Sequence, residues 1–134
     1  MGPDTTRIAF THESAGQRSV WVVDADGGNA RQVRADAASP AWTPDGSGLV
    51  VEDDSAGDAP LLRLDLAAGT ATPIAGTGGG SEPDVSRSGN LAYADANGRI
   101  MQLAAGQAAP TVLKTPSYDR RLSAPVYARN GDVL

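Results

Sequence analysis

Apolar residues along this chain come in short runs: Ile8-Ala9-Phe10, Val20-Trp21-Val22-Val23, Leu49-Val50-Val51, Leu61-Leu62, Leu91-Ala92-Tyr93 and Ile100-Met101. Between them lie segments dense in Gly, Pro, Ser, Asp and Asn. Runs this short, bounded by turn formers, read as strands, and no stretch sustains the 3.6-residue spacing of a helix. The pattern predicts an all-β chain.

The runs also repeat. Ser39-Pro40-Ala41-Trp42-Thr43-Pro44-Asp45-Gly46 returns as Glu82-Pro83-Asp84-Val85-Ser86-Arg87-Ser88-Gly89 and as Ala124-Pro125-Val126-Tyr127-Ala128-Arg129-Asn130-Gly131. The prolines are 43 and then 42 residues apart. Ile8-Ala9-Phe10, Leu49-Val50-Val51 and Leu91-Ala92-Tyr93 keep the same beat. So do Val20 to Asp24, Leu61 to Asp65 and Ile100 to Ala104, each leading through a Gly-containing turn to a further short strand ending at Val33, Ile74 and Leu113. Asp45-Gly46, Ser88-Gly89 and Asn130-Gly131 are hairpin dipeptides, because Gly and Asn tolerate the positive φ of tight turns. A four-stranded antiparallel unit recurring at this interval is the pattern of a propeller blade, whereas a sandwich predicts no regular repeat. The expectation is a single domain over 1–134, with repeats at about 7–47, 48–90 and 91–134.

If each blade begins with its Pro-containing inner strand, Ile8 to Val33 supplies strands two to four with no first strand before them. Residues 124–130 supply a first strand with little after it. Such staggered ends resemble propeller closure by strand exchange. Three blades fall below the usual four to eight and leave sheet faces uncovered. Two explanations stand: a partial propeller within a larger protein, or a homo-oligomer in which two chains make a six-bladed ring.

The segments SPAWTPDG and VWVVDADGGNARQV resemble the repeat of the TolB-type (WD-like) propeller family, a P-x-W-S-P-D-G turn followed by an apolar strand, an aromatic-containing strand and a D-x-D-G turn. The likeness is close in the first copy. The second replaces Trp by Val85 and Asp by Ser88, and the third keeps Pro125, Tyr127 and Asn130-Gly131. The resemblance implies a protein-interaction propeller acting outside the cytoplasm. Similar repeats also resemble the gating domains of serine peptidases, which leaves an accessory part of a hydrolase, or a sugar-binding propeller, as alternatives.

Composition narrows the chemistry. Aromatics make up 4% of the residues, so the core must come mostly from Val, Leu, Ile and Ala. The net charge of -5, with no basic cluster, argues against nucleic acid. Cysteine is absent, which excludes disulfides and thiolate metal sites and leaves the compartment open. The first residues lack the pattern of a signal peptide, and no apolar run approaches the roughly 20 residues of a membrane span, so no direct membrane insertion is expected.

Individual motifs read as architecture. Asp24-Ala25-Asp26-Gly27-Gly28-Asn29 superficially resembles the start of a calcium loop but lacks the terminal glutamate and flanking helices, and fits a hairpin. His12 beside Glu13 lacks the further ligands of a zinc site. No G-x-S-x-G elbow occurs. The run Gly76 to Ser81 lacks the lysine of a phosphate loop and reads as a flexible connection between blades. Trp21 and Trp42 read as core. No catalytic, cofactor-binding or metal-binding residue is expected, and no cofactor.

Binding is expected at loops. In a blade, the connections after the second and fourth strands share one rim. That rim collects His12, Glu13, Asp53, Asp54 and Glu82, together with Tyr118, Arg120 and Arg121, a set suited to a protein partner.

Overall fold

The structure, a computed structural model, describes residues 6–115 and 124–127. Eleven strands and no helix occur among them: β1 (Arg7–Ser14), β2 (Gln17–Asp24), β3 (Arg31–Ala35), β4 (Ala37–Trp42), β5 (Gly48–Asp53), β6 (Leu62–Asp65), β7 (Thr70–Pro73), β8 (Ser81–Val85), β9 (Leu91–Ala94), β10 (Ile100–Leu103) and β11 (Thr111–Lys114). All pairings are antiparallel between chain neighbours, giving a three-stranded sheet β1-β2-β3 and two four-stranded sheets, β4-β5-β6-β7 and β8-β9-β10-β11. These are propeller blades, the first showing three strands among the described residues.

The turns work as their residues require. Gly46 and Gly89 take φ of 74° and 88°, the left-handed region that glycine enters without a Cβ penalty. Gly48 has a different role: a Cβ there would collide with the Leu64 carbonyl, so glycine lets β5 approach β6. At the inner strands, the residue before each repeated proline is also left-handed: Ser39 (55°), Glu82 (51°) and Ala124 (50°). The first two sit where β4 and β8 slip register against β5 and β9, a repeated β-bulge. The bulge aims their N–H groups at the preceding blade. Ser39 N donates to Thr11 Oγ1 at 2.9 Å and Glu82 N to Glu52 Oε2 at 3.2 Å, from equivalent repeat positions.

Side-chain alternation gives every blade two unlike faces. Leu49, Val51, Leu62 and Leu64 of the second blade meet Val20 and Val22 of the first, with Ala9 packed alongside. Val50, Leu61 and Ile74, on the other side of the second blade, meet Leu91, Tyr93 and Met101 of the third. The core therefore lies in two layers between three sheets.

Two expectations need correction. Trp42 is only half-buried, packing on the first layer with the Arg7 guanidinium 4.8 Å from its ring centroid. The connection from Gly76 to Gly80 is not a loose linker. Thr77 is 1% exposed; its hydroxyl donates to Ile74 O at 2.7 Å and accepts from Leu61 N at 2.9 Å. A Cβ at Gly80 would press on Thr77 O, Leu61 and Tyr93. The glycines here allow close packing rather than slack.

Candidate partner-binding rim

The loops after the second and fourth strands do gather at one rim. A cleft of about 500 Å³ opens there, lined from all three sheets: Glu13 and Arg18 from the first, Glu52, Asp53 and Asp54 from the second, and Ser81 from the third. Its hub is Arg18 in β2. The guanidinium donates through Nε and Nη2 to the two Asp54 carboxylate oxygens at 2.8 and 2.7 Å, and lies 3.5 Å from Glu52 Oε1. The hydrogen bond with Asp54 raises the Arg18 pKa, outweighing the opposite effect of burial, and the charges of Asp54 and Glu52 add to the rise. The fork grip fixes the loop after β5 against the first blade.

Glu52 links a third element, since its other oxygen accepts the Glu82 N–H. One carboxylate oxygen of Glu82 itself is buried without a hydrogen-bond partner among the described residues. Asp53 accepts the Ser55 N–H at 2.9 Å, and its repeat equivalent Asp95 accepts Asn97 N and Arg99 N at 3.0 and 2.8 Å. Both aspartates shape their turns. Burial pushes the Asp95 carboxyl upward, but the Arg99 backbone and guanidinium together outweigh it and hold the pKa low.

The expected site residues are thus partly united. Glu13, Asp53 and Asp54 line the cleft, and Glu82 adjoins it through Glu52. His12 does not line it. Its ring sits 5.8 Å from that of Trp21, on the face of β1 turned away from the second blade. Tyr118, Arg120 and Arg121 lie outside the described residues. Sequence reasoning missed Arg18 and Glu52. Glu52 was detectable as an acid closing the run Leu49-Val50-Val51, at the repeat position held by Thr11 and Ala94. Arg18 carried no signal, because a charge on a strand ordinarily means a solvated face.

The arrangement offers acceptor oxygens and one neutralised cation, suited to hydrogen-bond donors and cationic side chains. Among the described residues no group of three or more His, Asp or Glu could hold a metal ion. No helix among them is long and apolar enough to cross a membrane.

No protein-family model matches the chain. It is 32% identical over 90 residues to a protein TolB homolog of Chlorobium chlorochromatii, an alignment covering 65% of this chain and 20% of that protein. It is 34% identical over 77 residues to the Tol-Pal system protein TolB of Albidiferax ferrireducens, covering 55% and 18%. The structure of a putative TolB from Agrobacterium tumefaciens superposes with a TM-score of 0.80 at 18% identity, over 98% of this chain and 50% of that one. The chain is similar to the TolB-type β-propeller family in sequence and in fold. It spans about a fifth of the length of the curated relatives that it matches. In this TolB-like chain, the bulged Pro-containing strands and Asp-Gly turns form the repeat that carries the likeness. The Arg18, Glu52 and Asp54 cluster uses three positions that those motifs leave free.

Proposed function

We propose that this chain is a non-catalytic, protein-interaction part of a propeller that binds a partner protein through the rim bearing Glu13, Asp53, Asp54 and Glu82. The observation that carries this reading is the cleft at that rim, to which three blades contribute and whose carboxylates are held by Arg18 and by their own turns. Prepositioned acceptors cost little ordering entropy on binding. The partner surface that fits is cationic, rich in Lys, Arg and exposed N–H groups. One relative is named as a Tol-Pal system protein, which supports a place in a protein assembly outside the cytoplasm. The fold alone does not decide the matter, because propellers host many functions.

The test is capture from cell-envelope extract, comparing the native chain with Glu13→Arg, in the cleft, and with Asp58→Arg, at an exposed position of the loop between β5 and β6 that supplies Asp54 to the rim. Loss of a discrete captured protein in the variants, with unchanged circular dichroism, is expected. Identical capture profiles overturn the rim assignment, and hydrolytic activity of the purified chain overturns the non-catalytic reading.

A further inference from the structure

The two seams between blades differ at matched positions. Val22, on the side of the first blade that faces the second, is 3% exposed and packs in the first layer. The strand registers place Arg63 at the same point of the second blade, since Val22 pairs with Ala9 as Arg63 pairs with Val50. Arg63 is exposed, so the second layer lacks here the apolar side chain that seals the first. Two more positions go the same way. Leu64, 4% exposed, is matched by Leu103, which is half-buried, and Leu66, packed on the first layer, is matched by Ala105.

The second seam is wider as a result. At the outer end of the first, Val33, Leu64 and Leu66 line a cleft of about 190 Å³; the matching Ile74, Leu103 and Ala105 line one of about 350 Å³ in the second. A further cleft of about 370 Å³ adjoins it toward the inner strands, along Val50, Val85 and the turn from Thr43 to Ser47. Arg63, Gly89 and Leu91 line both clefts, so the guanidinium stands where they meet in one furrow between the second and third blades. No hydrogen bond or ion pair among the described residues engages that guanidinium. The acids of the flanking turns are committed elsewhere. Asp45 accepts from the Ser47 N–H at 3.0 Å and from the Thr43 and Ser47 hydroxyls at 2.8 Å, and Asp65 accepts the Ala67 and Ala68 N–H groups.

We propose that this furrow binds an extended acidic peptide segment, with one carboxylate gripped by Arg63 and neighbouring apolar side chains seated against Ile74, Leu103 and Val85. Charge complementarity selects the occupant: a planar guanidinium without a partner, set between apolar walls, fits a carboxylate flanked by apolar groups. The furrow runs from inner to outer strands, which suits an extended chain. It borders the hairpins between first and second and between third and fourth strands, and so lies on the rim opposite Glu13 and Asp54 and prefers the opposite charge.

A random linear peptide library displayed on phage, selected on the full native chain, tests the assignment. It should enrich peptides with Asp or Glu beside Leu, Ile, Val or Phe. Arg63→Val and Ala105→Leu install the kind of side chain that the first seam carries, so both variants should keep the native circular dichroism. The affinity of the enriched peptides should fall about tenfold to a hundredfold on Arg63→Val, and Ala105→Leu, which keeps the charge but narrows the furrow, should weaken the same peptides. On the native chain itself, an enriched peptide should shift the amide resonances of Gly89, Leu103 and Gly106. Failure to enrich acidic peptides, equal affinity for the native chain and Arg63→Val, or shifts confined to other residues overturns the inference. Enrichment of basic peptides alone, lost in Glu13→Arg, would support the rim and overturn the furrow. Dimerisation that Arg63→Val abolishes would make a second copy the occupant and overturn it as well.

Discussion

The two interfaces between blades are built on one plan with different chemistry. The first joins aliphatic side chains across the layer and is tied at its margins by charge: Arg7 over Trp42, with its Nη2 donating to Gly46 O at 2.8 Å, and Arg18 on Asp54 and Glu52. The second is centred on Tyr93, 1% exposed, beside a connection that the buried Thr77 hydroxyl anchors to Leu61 and Ile74 of the second blade. Repeated backbone geometry therefore does not demand repeated side chains. It demands that each layer be filled and each inner strand anchored, and the two layers should fail under different conditions.

The largest difference should appear on truncation. Tyr93→Ala empties the centre of the second layer and should cost about 3–5 kcal/mol, enough to unfold a marginal domain. Trp42→Ala removes a half-buried ring at the margin of the first and should cost about 3 kcal/mol, the low end of that range. Urea denaturation of both variants checks the order, and the reverse order would mean that the first layer holds the structure together.

The second layer should also be the more sensitive to alkali. Burial, with a further rise from the Asp95 charge and a lowering from Arg99, pushes the Tyr93 hydroxyl up to about 12. Because this pKa is raised above the unfolded value of about 10, the folded state holds the proton more tightly. Its stabilising effect is fully present below pH ~10 and is lost as pH rises through about 12. An ultraviolet titration should show the Tyr93 phenol ionising late, together with unfolding. Ionisation near 10 in the folded state would contradict its burial.

How legible these layers were depends on which physical signal each feature leaves. The blades were readable because strand alternation, Gly turns and the Pro-containing strand recur at one interval, so Ile8, Leu49 and Leu91 announce each other. The three strands that the same alignment assigns to the first repeat are β1-β2-β3. The rim was readable as a place, since connection parity decides which loops share it, but its hub was not. Arg18 meets Asp54 and Glu52 across 36 and 34 residues of sequence, and no local pattern encodes such a contact. Thr77 was hidden for the opposite reason. Amid glycines it looks like linker, and only the packed structure shows a buried hydroxyl satisfying the Leu61 N–H.

The smallest expected effect sharpens the contrast most. Arg18 and Asp54 are partly exposed, with side-chain exposures of 39% and 27%, so solvent and the entropy of ordering offset most of their attraction. Arg18→Ala should cost about 0.5 kcal/mol at low salt, and the difference should vanish in about 1 M salt, where the screening length falls to roughly 3 Å. Tyr93→Ala should show no such salt dependence, since its loss is one of packing. A cost above about 2 kcal/mol for Arg18→Ala, unmoved by salt, would mean that Glu52, whose side chain is only 11% exposed, behaves as a buried carboxylate deprived of its cation. The rim would then be part of what holds the first two blades together, and charge substitutions there would report on folding as much as on binding.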